Sequence, residues 1–379
     1  MKLGINPGYW GAGNDADNLA LARAADRLGY DVCWAAEAYG SDAATVLAWI
    51  AAQTERIDVG SAIFQIPGRT PTNTAMTAAT LDSLSGGRFR LGLGVSGPQV
   101  SEGWHGVRFD KPLARTREYI DVVRLALSRQ RVKYDGEFFT LPLPDGPGKA
   151  LSLTVPPVRE HIPIYLAALG PRNLELAGEI ADGWLALFFP PDDASQLLDH
   201  LRVGRERAGK TLAGFDIVPT VPVVVDDDVA RAANACRAYY ALYIGGMGSR
   251  SQNFYHALAS RLGYETQADA VQDAYLARDY KAAAMAVPLE LIDRTALIGP
   301  ADRIAARLPA YRDAGVTTLT VATYAAGMSE RLRTVELMAE LMNADKHVAD
   351  KHVVDKDVAD KHVVDKDVVD KLVADKDEG

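Results

Sequence analysis

The sequence has few cysteines, no long apolar run and no block of basic residues in its main part. Only Cys33 and Cys236 occur among its 379 residues, and both lie in apolar segments, which favours buried thiols in a reducing compartment over a disulfide framework. No apolar stretch approaches the roughly 20 residues that a membrane-spanning helix needs. The net charge of −9, without a basic patch, disfavours nucleic acids and membrane surfaces as partners. Residues 1–6 lead directly into a predicted strand, so we expect no signal peptide and a cytoplasmic protein.

The end of the chain has a different composition. Residues 345–379 repeat a pentad of the form Asp-Lys-x-Val-Ala or Asp-Lys-x-Val-Val. A five-residue period matches neither the helical period of about 3.6 residues nor the two-residue period of a strand, so the valines form no continuous apolar stripe. The repeat predicts a solvated tail that is disordered or partly helical. Its three histidines do not stack on one helical face, and we predict no metal site.

Residues 1–344 alternate short apolar strands with helical segments and form one predicted domain. The strands are predicted over residues 2–6, 32–36, 58–63, 89–93, 162–167, 183–188, 217–225 and 317–321. Eight such βα units favour a closed barrel over a doubly wound sheet, which rarely needs eight strands. The predicted fold class is therefore α/β, a (β/α)8 TIM barrel. Residues 97–113, 131–160 and 228–297 are interpreted as insertions.

A glycine-rich segment follows the third predicted helix. Gly86 and Gly87 can adopt the positive φ that ends a helix, and the next strand places Gly92 and Gly94 on one face. That bare face permits either a close contact within the fold or the approach of a flat or phosphorylated ligand to the backbone. The spacing up to Gly97 also matches the dinucleotide-binding fingerprint, but no long helix follows and the motif lies in the fourth unit. We reject a Rossmann fold, although the loop can still bind phosphate.

Four parts of the chain together resemble the luciferase-like family of flavin and deazaflavin oxidoreductases. They are Leu3-Gly-Ile-Asn, Ser85-Gly-Gly-Arg-Phe-Arg-Leu-Gly-Leu-Gly, Gly170-Pro-Arg-Asn with Ala181-Asp-Gly-Trp, and Leu297-Ile-Gly-Pro with Ala314-Gly-Val. The likeness spans residues 1–343 and is strongest to the branch that uses the deazaflavin coenzyme F420, typified by methylenetetrahydromethanopterin reductase. It implies a bacterial luciferase-like barrel with coenzyme F420, or alternatively FMN, at the C-terminal ends of the strands. It also implies a homodimer and a small-molecule substrate.

The resemblance further implies which residues hold the cofactor. The step from Ala62 to Ile63 stands where the family often has a non-proline cis peptide that bulges against the cofactor ring. Two loops would bind the phosphate, because unpaired N–H groups at a helix start face an anion. The candidate cofactor-binding residues are Asn6, Ser61, Ala62, Ile63, Gly94, Val95, Ser96, Gly97, Pro98, Gln99, Leu169, Gly170, Pro171 and Arg172.

The end of the second strand departs from the family's pattern. Deazaflavin-dependent dehydrogenases commonly have an Asp-His pair there, whereas this chain has Glu37 and Ala38. Alcohol oxidation with that histidine as base is therefore disfavoured, and reduction of a C=C or C=N bond, or a reaction of some other substrate class, is favoured. Glu37 is the candidate catalytic residue if burial raises its pKa. The alternative is a structural carboxylate that accepts hydrogen bonds from backbone N–H groups or an arginine.

Further side chains are weaker candidates. Tyr9 and Trp10 follow the first strand, and His105 lies in a loop; each could line the pocket or simply pack. Trp49 lies among small residues on a predicted helix and is the candidate dimer contact, unless it packs within its own barrel.

Three functions remain open from the sequence. The favoured one is an F420-dependent oxidoreductase that transfers a hydride between the deazaflavin and a small organic substrate. The alternatives are an FMN-dependent luciferase-like monooxygenase and a barrel that binds deazaflavin without turnover. No motif in residues 228–297 identifies the substrate.

Overall fold

Eight parallel strands close into a barrel in the computed structural model, which describes residues 1–344. The strands are β1 (Lys2–Ile5), β2 (Val32–Ala35), β3 (Asp58–Ser61), β4 (Phe89–Gly94), β5 (Ile164–Ala167), β6 (Gly183–Leu187), β7 (Asp216–Val225) and β8 (Thr318–Thr323). Neighbours in this order pair with each other, and β8 pairs with β1 to complete the ring. The predicted (β/α)8 barrel is thus confirmed. The pentad repeat and the predictions made for it lie outside the described residues.

Helices surround the barrel, and local sequence signals set their ends. They are Asp15–Leu28, Ala43–Ala52, Pro71–Leu84, Pro112–Leu127, Pro171–Ile180, Ser195–Arg207, Ala301–Asp313 and a last helix that begins at residue 328. Asp42 caps the second helix by accepting a hydrogen bond from the N–H of Thr45 at 2.8 Å. Gly29 ends the first helix with φ of 80°, a backbone conformation that favours glycine.

The glycines of β4 make room for β3 and the segment after it. A Cβ on Gly92 would lie 1.9 Å from the carbonyl oxygen of Ser61, and one on Gly94 would lie 2.5 Å from Cδ1 of Ile63. The close-contact alternative therefore explains both glycines, and no ligand can lie directly on Gly92. The peptide bond between Ala62 and Ile63 is cis, as the resemblance implies.

The three predicted insertions differ in structure. The first contains the short helix Pro98–Ser101, and the second contains an antiparallel pair of two-residue strands. The third contains five α-helices and a π-helical turn, Leu242–Gly246. Its end differs from the prediction, since Leu297–Gly299 is a short strand that pairs with the end of β7.

The third insertion packs around its own apolar core beside the barrel core. Cys33 lies in the barrel core and Cys236 in the core of the insertion, and both are fully buried free thiols. Burial raises the pKa of each to about 12. The expectation of buried thiols is confirmed. Across residues 1–344, no helix combines the length and apolar character needed to cross a bilayer.

Candidate active site

A cavity of about 1500 Å³ opens at the C-terminal ends of the barrel strands. This is the end where TIM barrels place their active sites. Residues that follow β1, β2, β4, β5 and β8 contribute to its lining, together with helices of the third insertion. One drug-sized ligand typically occupies a pocket of roughly 300–1,000 Å³. The cavity therefore has room for a cofactor and a substrate at the same time.

Most of the predicted cofactor residues lie together in this lining. They are Asn6, Ala62, Ile63, Gly94, Val95, Ser96, Gly97, Gln99, Leu169, Gly170, Pro171 and Arg172. The lining omits Ser61 and Pro98. The hydroxyl of Ser61 donates to the carbonyl of Gly92 at 2.8 Å and accepts from its N–H at 2.9 Å, so this buried side chain bridges β3 and β4. Pro98 occupies the first position of its short helix, where its fixed φ suits helix initiation.

The helix Pro171–Ile180 begins at the edge of the cavity with unpaired donors. Gly170 precedes it and provides no side-chain cap. The N–H of Leu174 is the first to bond within the helix, to the carbonyl of Gly170 at 2.9 Å, which leaves the N–H groups of Arg172 and Asn173 without an intrahelical acceptor. Apart from Gly170 and its two chain neighbours, no heavy atom of residues 1–344 lies within 4 Å of the place where a Cβ of Gly170 would stand. The space in front of this helix start is open to a ligand.

Arg172 adds a positive charge at the same place. Its guanidinium forms no ion pair with any side chain of residues 1–344. An uncapped helix start beside an unpaired arginine favours an anion, because the helix dipole and the side-chain charge have the same sign.

Glu37 lies in the lining but is not a free carboxyl group. Its Oε2 accepts hydrogen bonds from the guanidinium of Arg69 and, at 3.1 Å, from the N–H of Gln65. Its Oε1 accepts from the N–H of Ala43 at 3.3 Å. The side chain is only 8% exposed. Because all of these contacts use the carboxylate as an acceptor, the geometry favours the structural alternative over proton transfer.

Arg69 links Glu37 to Asp42 by donating to both carboxylates. Burial lowers the pKa of Arg69. The hydrogen bond to Glu37 and the charges of Glu37 and Asp42 raise it by more, so the pKa lies above its ordinary value. The arginine therefore stays charged.

The weaker candidates, Tyr9, Trp10 and His105, lie in different positions relative to the cavity. Tyr9 lies in the lining. Trp10 is 5% exposed and packs edge-on against Trp49 with 5.8 Å between the ring centroids, so its role is packing. His105 lies outside the lining, and its Nε2 is 2.9 Å from the Oε1 of Gln65, which does line the cavity.

A cluster of tyrosines covers one side of the cavity, and sequence reasoning named only Tyr9 among its members. We call it the tyrosine wall, and its members are Tyr9, Tyr239, Tyr243, Tyr255 and Tyr324. The ring centroids of Tyr239 and Tyr324 are 4.9 Å apart, and those of Tyr243 and Tyr255 are 4.7 Å apart. The available signal was the four-residue spacing of Tyr239 and Tyr243, which places both on one helical face.

Comparisons with known proteins agree with the fold and identify the family. The family model of luciferase-like monooxygenases matches residues 7–318. A Mycobacterium tuberculosis protein named as a candidate coenzyme F420-dependent oxidoreductase is 44% identical over 340 residues, which cover 88% of this chain and 97% of that protein. The 5,10-methylenetetrahydromethanopterin reductase of Archaeoglobus fulgidus is 30% identical over 299 residues, which cover 77% of this chain and 85% of that protein.

A solved structure extends the likeness to three dimensions. The coenzyme F420-dependent tetrahydromethanopterin reductase of Methanopyrus kandleri superimposes with a TM-score of 0.76 and 25% identity, over 89% of this chain and 97% of that one. The resemblance stated from the motifs is confirmed. The chain belongs to the luciferase-like monooxygenase family.

Proposed function

We propose that the protein is an F420-dependent oxidoreductase that transfers a hydride between the deazaflavin and a small organic substrate. The observation that carries the proposal is the open helix start at Gly170 and Arg172, at the edge of a cavity large enough for two molecules. The relatives support it, since the Mycobacterium tuberculosis protein and the Methanopyrus kandleri structure both have F420 in their names.

The residues at this helix start fit a deazaflavin that has a phosphate on its side chain. The N–H groups of Arg172 and Asn173 are free to donate, and the Arg172 guanidinium supplies charge. Hydrogen bonds from charged donors to phosphate are stronger than neutral ones. Phosphate binding here would leave the centre of the cavity to the ring.

When bound, the deazaflavin supplies or accepts the hydride. The contribution of the chain is to orient the two molecules and to exclude water. Ala62 and Ile63 present apolar side chains to the cavity, where water would otherwise compete for the reactive site. We place Glu37 as a positioning residue, because with Arg69 it joins the end of β2 to the turn that follows Gln65.

The proposed direction of the reaction follows from the absence of a histidine base. Ala38 stands where related dehydrogenases have a histidine, so the proposed direction is reduction of an unsaturated substrate rather than oxidation of an alcohol. The alternatives, an FMN monooxygenase and a barrel without turnover, are outcomes of the same experiment.

The test is a fluorescence titration of the purified protein with F420 and with FMN, followed by turnover assays with reduced F420. We expect saturable one-to-one binding of F420 and weaker binding of FMN. Preferred binding of FMN would support the monooxygenase instead. Tight F420 binding without oxidation of reduced F420 by a panel of unsaturated compounds would indicate a carrier.

The proposal includes a homodimer in a reducing compartment such as the cytoplasm. Trp49 is 42% exposed on the helix Ala43–Ala52, and Met76 is 54% exposed on the neighbouring helix Pro71–Leu84. Exposed apolar side chains on adjacent elements favour an interface. Two buried free thiols are compatible with reducing conditions.

A further inference from the structure

The cavity has two chemically different sides. In the barrel order, β1 and β8 are neighbours, and they lie across the ring from β4 and β5. Tyr9 follows β1 and Tyr324 follows β8, whereas Gly97 follows β4 and Gly170 follows β5. Tyr9 and Tyr324 therefore lie opposite the loops proposed to bind phosphate.

The third insertion supplies the rest of the wall. Tyr239 lies on the helix Val229–Ala241, and Tyr243 lies in the π-helical turn directly after it. A Cβ on Gly245 would lie 2.4 Å from Cβ of Tyr275, so this turn packs closely on the helix Glu265–Leu276. The wall is thus built on packed elements and not on a free loop.

The polar atoms of the wall are hydroxyl groups. The hydroxyl oxygens of Tyr9 and Tyr243 are 3.0 Å apart, and either one can be the donor. Whichever hydroxyl donates to the other, the acceptor keeps its own O–H for a further partner. Burial raises the pKa of Tyr9, and it raises that of Tyr243 well above the ordinary value. Both groups therefore stay protonated, and the pair offers one O–H to an acceptor oxygen.

The charged side chains on this side have opposite signs. Arg331 donates through one nitrogen to the carbonyl of Pro7 at 2.5 Å and to Oδ1 of Asn18 at 3.2 Å. Its Nε is buried without a partner among residues 1–344, and the negative charge of Asp17 acts on the guanidinium. Asp17 is exposed at the rim and carries a negative charge. Across the cavity, Arg172 is committed to the phosphate side. Because Arg331 and Asp17 both line this side and have opposite charges, a sulfate, phosphate or carboxylate would gain little net attraction there.

We propose that the tyrosine wall binds an uncharged, mainly apolar compound through one carbonyl oxygen, which accepts a hydrogen bond from the Tyr9–Tyr243 hydroxyl pair. Ring faces of the wall would cover the apolar part of the ligand, and burial of aromatic surface supplies most of the affinity. As a statement about substrate, an enone whose C=C bond is reduced, the inference rests on the proposed function. As a statement about binding, it does not need F420.

The test measures ligand binding to the protein without cofactor by titration calorimetry. The probe is benzylacetone, a neutral ketone, and its counterpart is hydrocinnamate, which has nearly the same shape but ends in a carboxylate. We expect benzylacetone to bind and hydrocinnamate to bind at least about tenfold more weakly, because burial removes water from its carboxylate while Asp17 offsets the attraction of Arg331. Equal or tighter binding of hydrocinnamate, or no binding of benzylacetone, would overturn the proposal.

Two variants locate the contact. Tyr243→Phe keeps the ring and removes the hydroxyl, and it should weaken benzylacetone binding about tenfold, the usual scale for one lost hydrogen bond. Tyr280→Phe removes an exposed hydroxyl from the same insertion, outside the lining, and should bind as the wild type does. Unchanged affinity in Tyr243→Phe would show that the hydroxyl pair is not the binding group. A melting curve of each variant checks that it is folded.

The two proposals fail in different ways. If benzylacetone binds and F420 does not, the proposed function is wrong and the binding site stands. If F420 binds and benzylacetone does not, the proposed function stands and the substrate class is wrong.

Discussion

Glu37 and Arg69 form a largely buried ion pair, although 32 residues separate them in the sequence. The pair joins the end of β2 to the segment that follows β3, at the edge of the cavity. Removing one partner of a buried pair leaves the other charge uncompensated, which is usually costly. This pair is therefore expected to fix the shape of the site more than it takes part in proton transfer.

The variant Glu37→Gln tests this assignment. It keeps the shape of the side chain and removes the charge, so we expect a loss of about 1–3 kcal/mol in the free energy of unfolding. Turnover of the enzyme saturated with F420 should stay close to that of the wild type. Denaturant unfolding and steady-state rates provide the two measurements. Asp42→Asn, which affects the more exposed partner of Arg69, should cost less.

The opposite pattern would restore a catalytic role. If Glu37→Gln leaves stability unchanged and lowers turnover about 10²-fold, the scale of a lost general acid or base, then the carboxyl group transfers a proton.

Gly170→Val tests the phosphate site. Gly170 has φ of −91° and ψ of 156°, which any residue adopts, and its Cβ position is open. The valine should leave the fold intact and fill the space in front of the helix start. We expect F420 affinity to fall at least about tenfold in a fluorescence titration, with little change in melting temperature.

Gly40→Val is the matched control, because Gly40 also has open space at its Cβ position but lies outside the lining. It should bind F420 as the wild type does. Wild-type affinity in Gly170→Val would place the phosphate elsewhere. Gly94→Val should also weaken binding, but its Cβ would displace Ile63, so that loss would not report on the phosphate.

Local signals were enough to predict the barrel. Asp42, Gly29 and Pro71 each mark a helix end through contacts within a few residues. Alternation of short apolar strands with helices then gave the number of βα units, and the number of units gave the closed barrel.

The site could be predicted only in part, because its contacts join distant parts of the chain. The strand ends and the start of the helix after Gly170 could be predicted, since strand and helix termini depend on local sequence. Tyr9 and Tyr243 are 234 residues apart in the sequence, and no periodic pattern of residues predicts their contact. Ser61 was assigned to the cofactor because its position in the chain is next to the bulge, but its side chain points between two strands.

Removal of the pentad repeat should leave the barrel unchanged. The last helix buries Val335, Met338 and Met342, and a five-residue period cannot add a continuous apolar stripe to it. A chain that ends at Ala344 should melt within a few degrees of the full chain and keep its F420 affinity. A large fall in melting temperature, or a change in mass by light scattering, would show that the repeat packs against the barrel or a partner.

The dimer prediction rests on two apolar side chains on the surface. Trp49 and Met76 are exposed on neighbouring helices, and the edge-on contact with Trp10 leaves part of the Trp49 ring uncovered. Contact with a second copy would cover both side chains without rearranging the barrel. We expect light scattering at micromolar concentration to give the mass of a dimer, and Met76→Glu to shift it toward the monomer, because an interface disfavours an unpaired charge. Met285→Glu, which changes an exposed methionine on the third insertion, should leave the mass unchanged. A monomer mass for the wild type would refute the dimer, and a dimer that survives both substitutions would place the interface on another face.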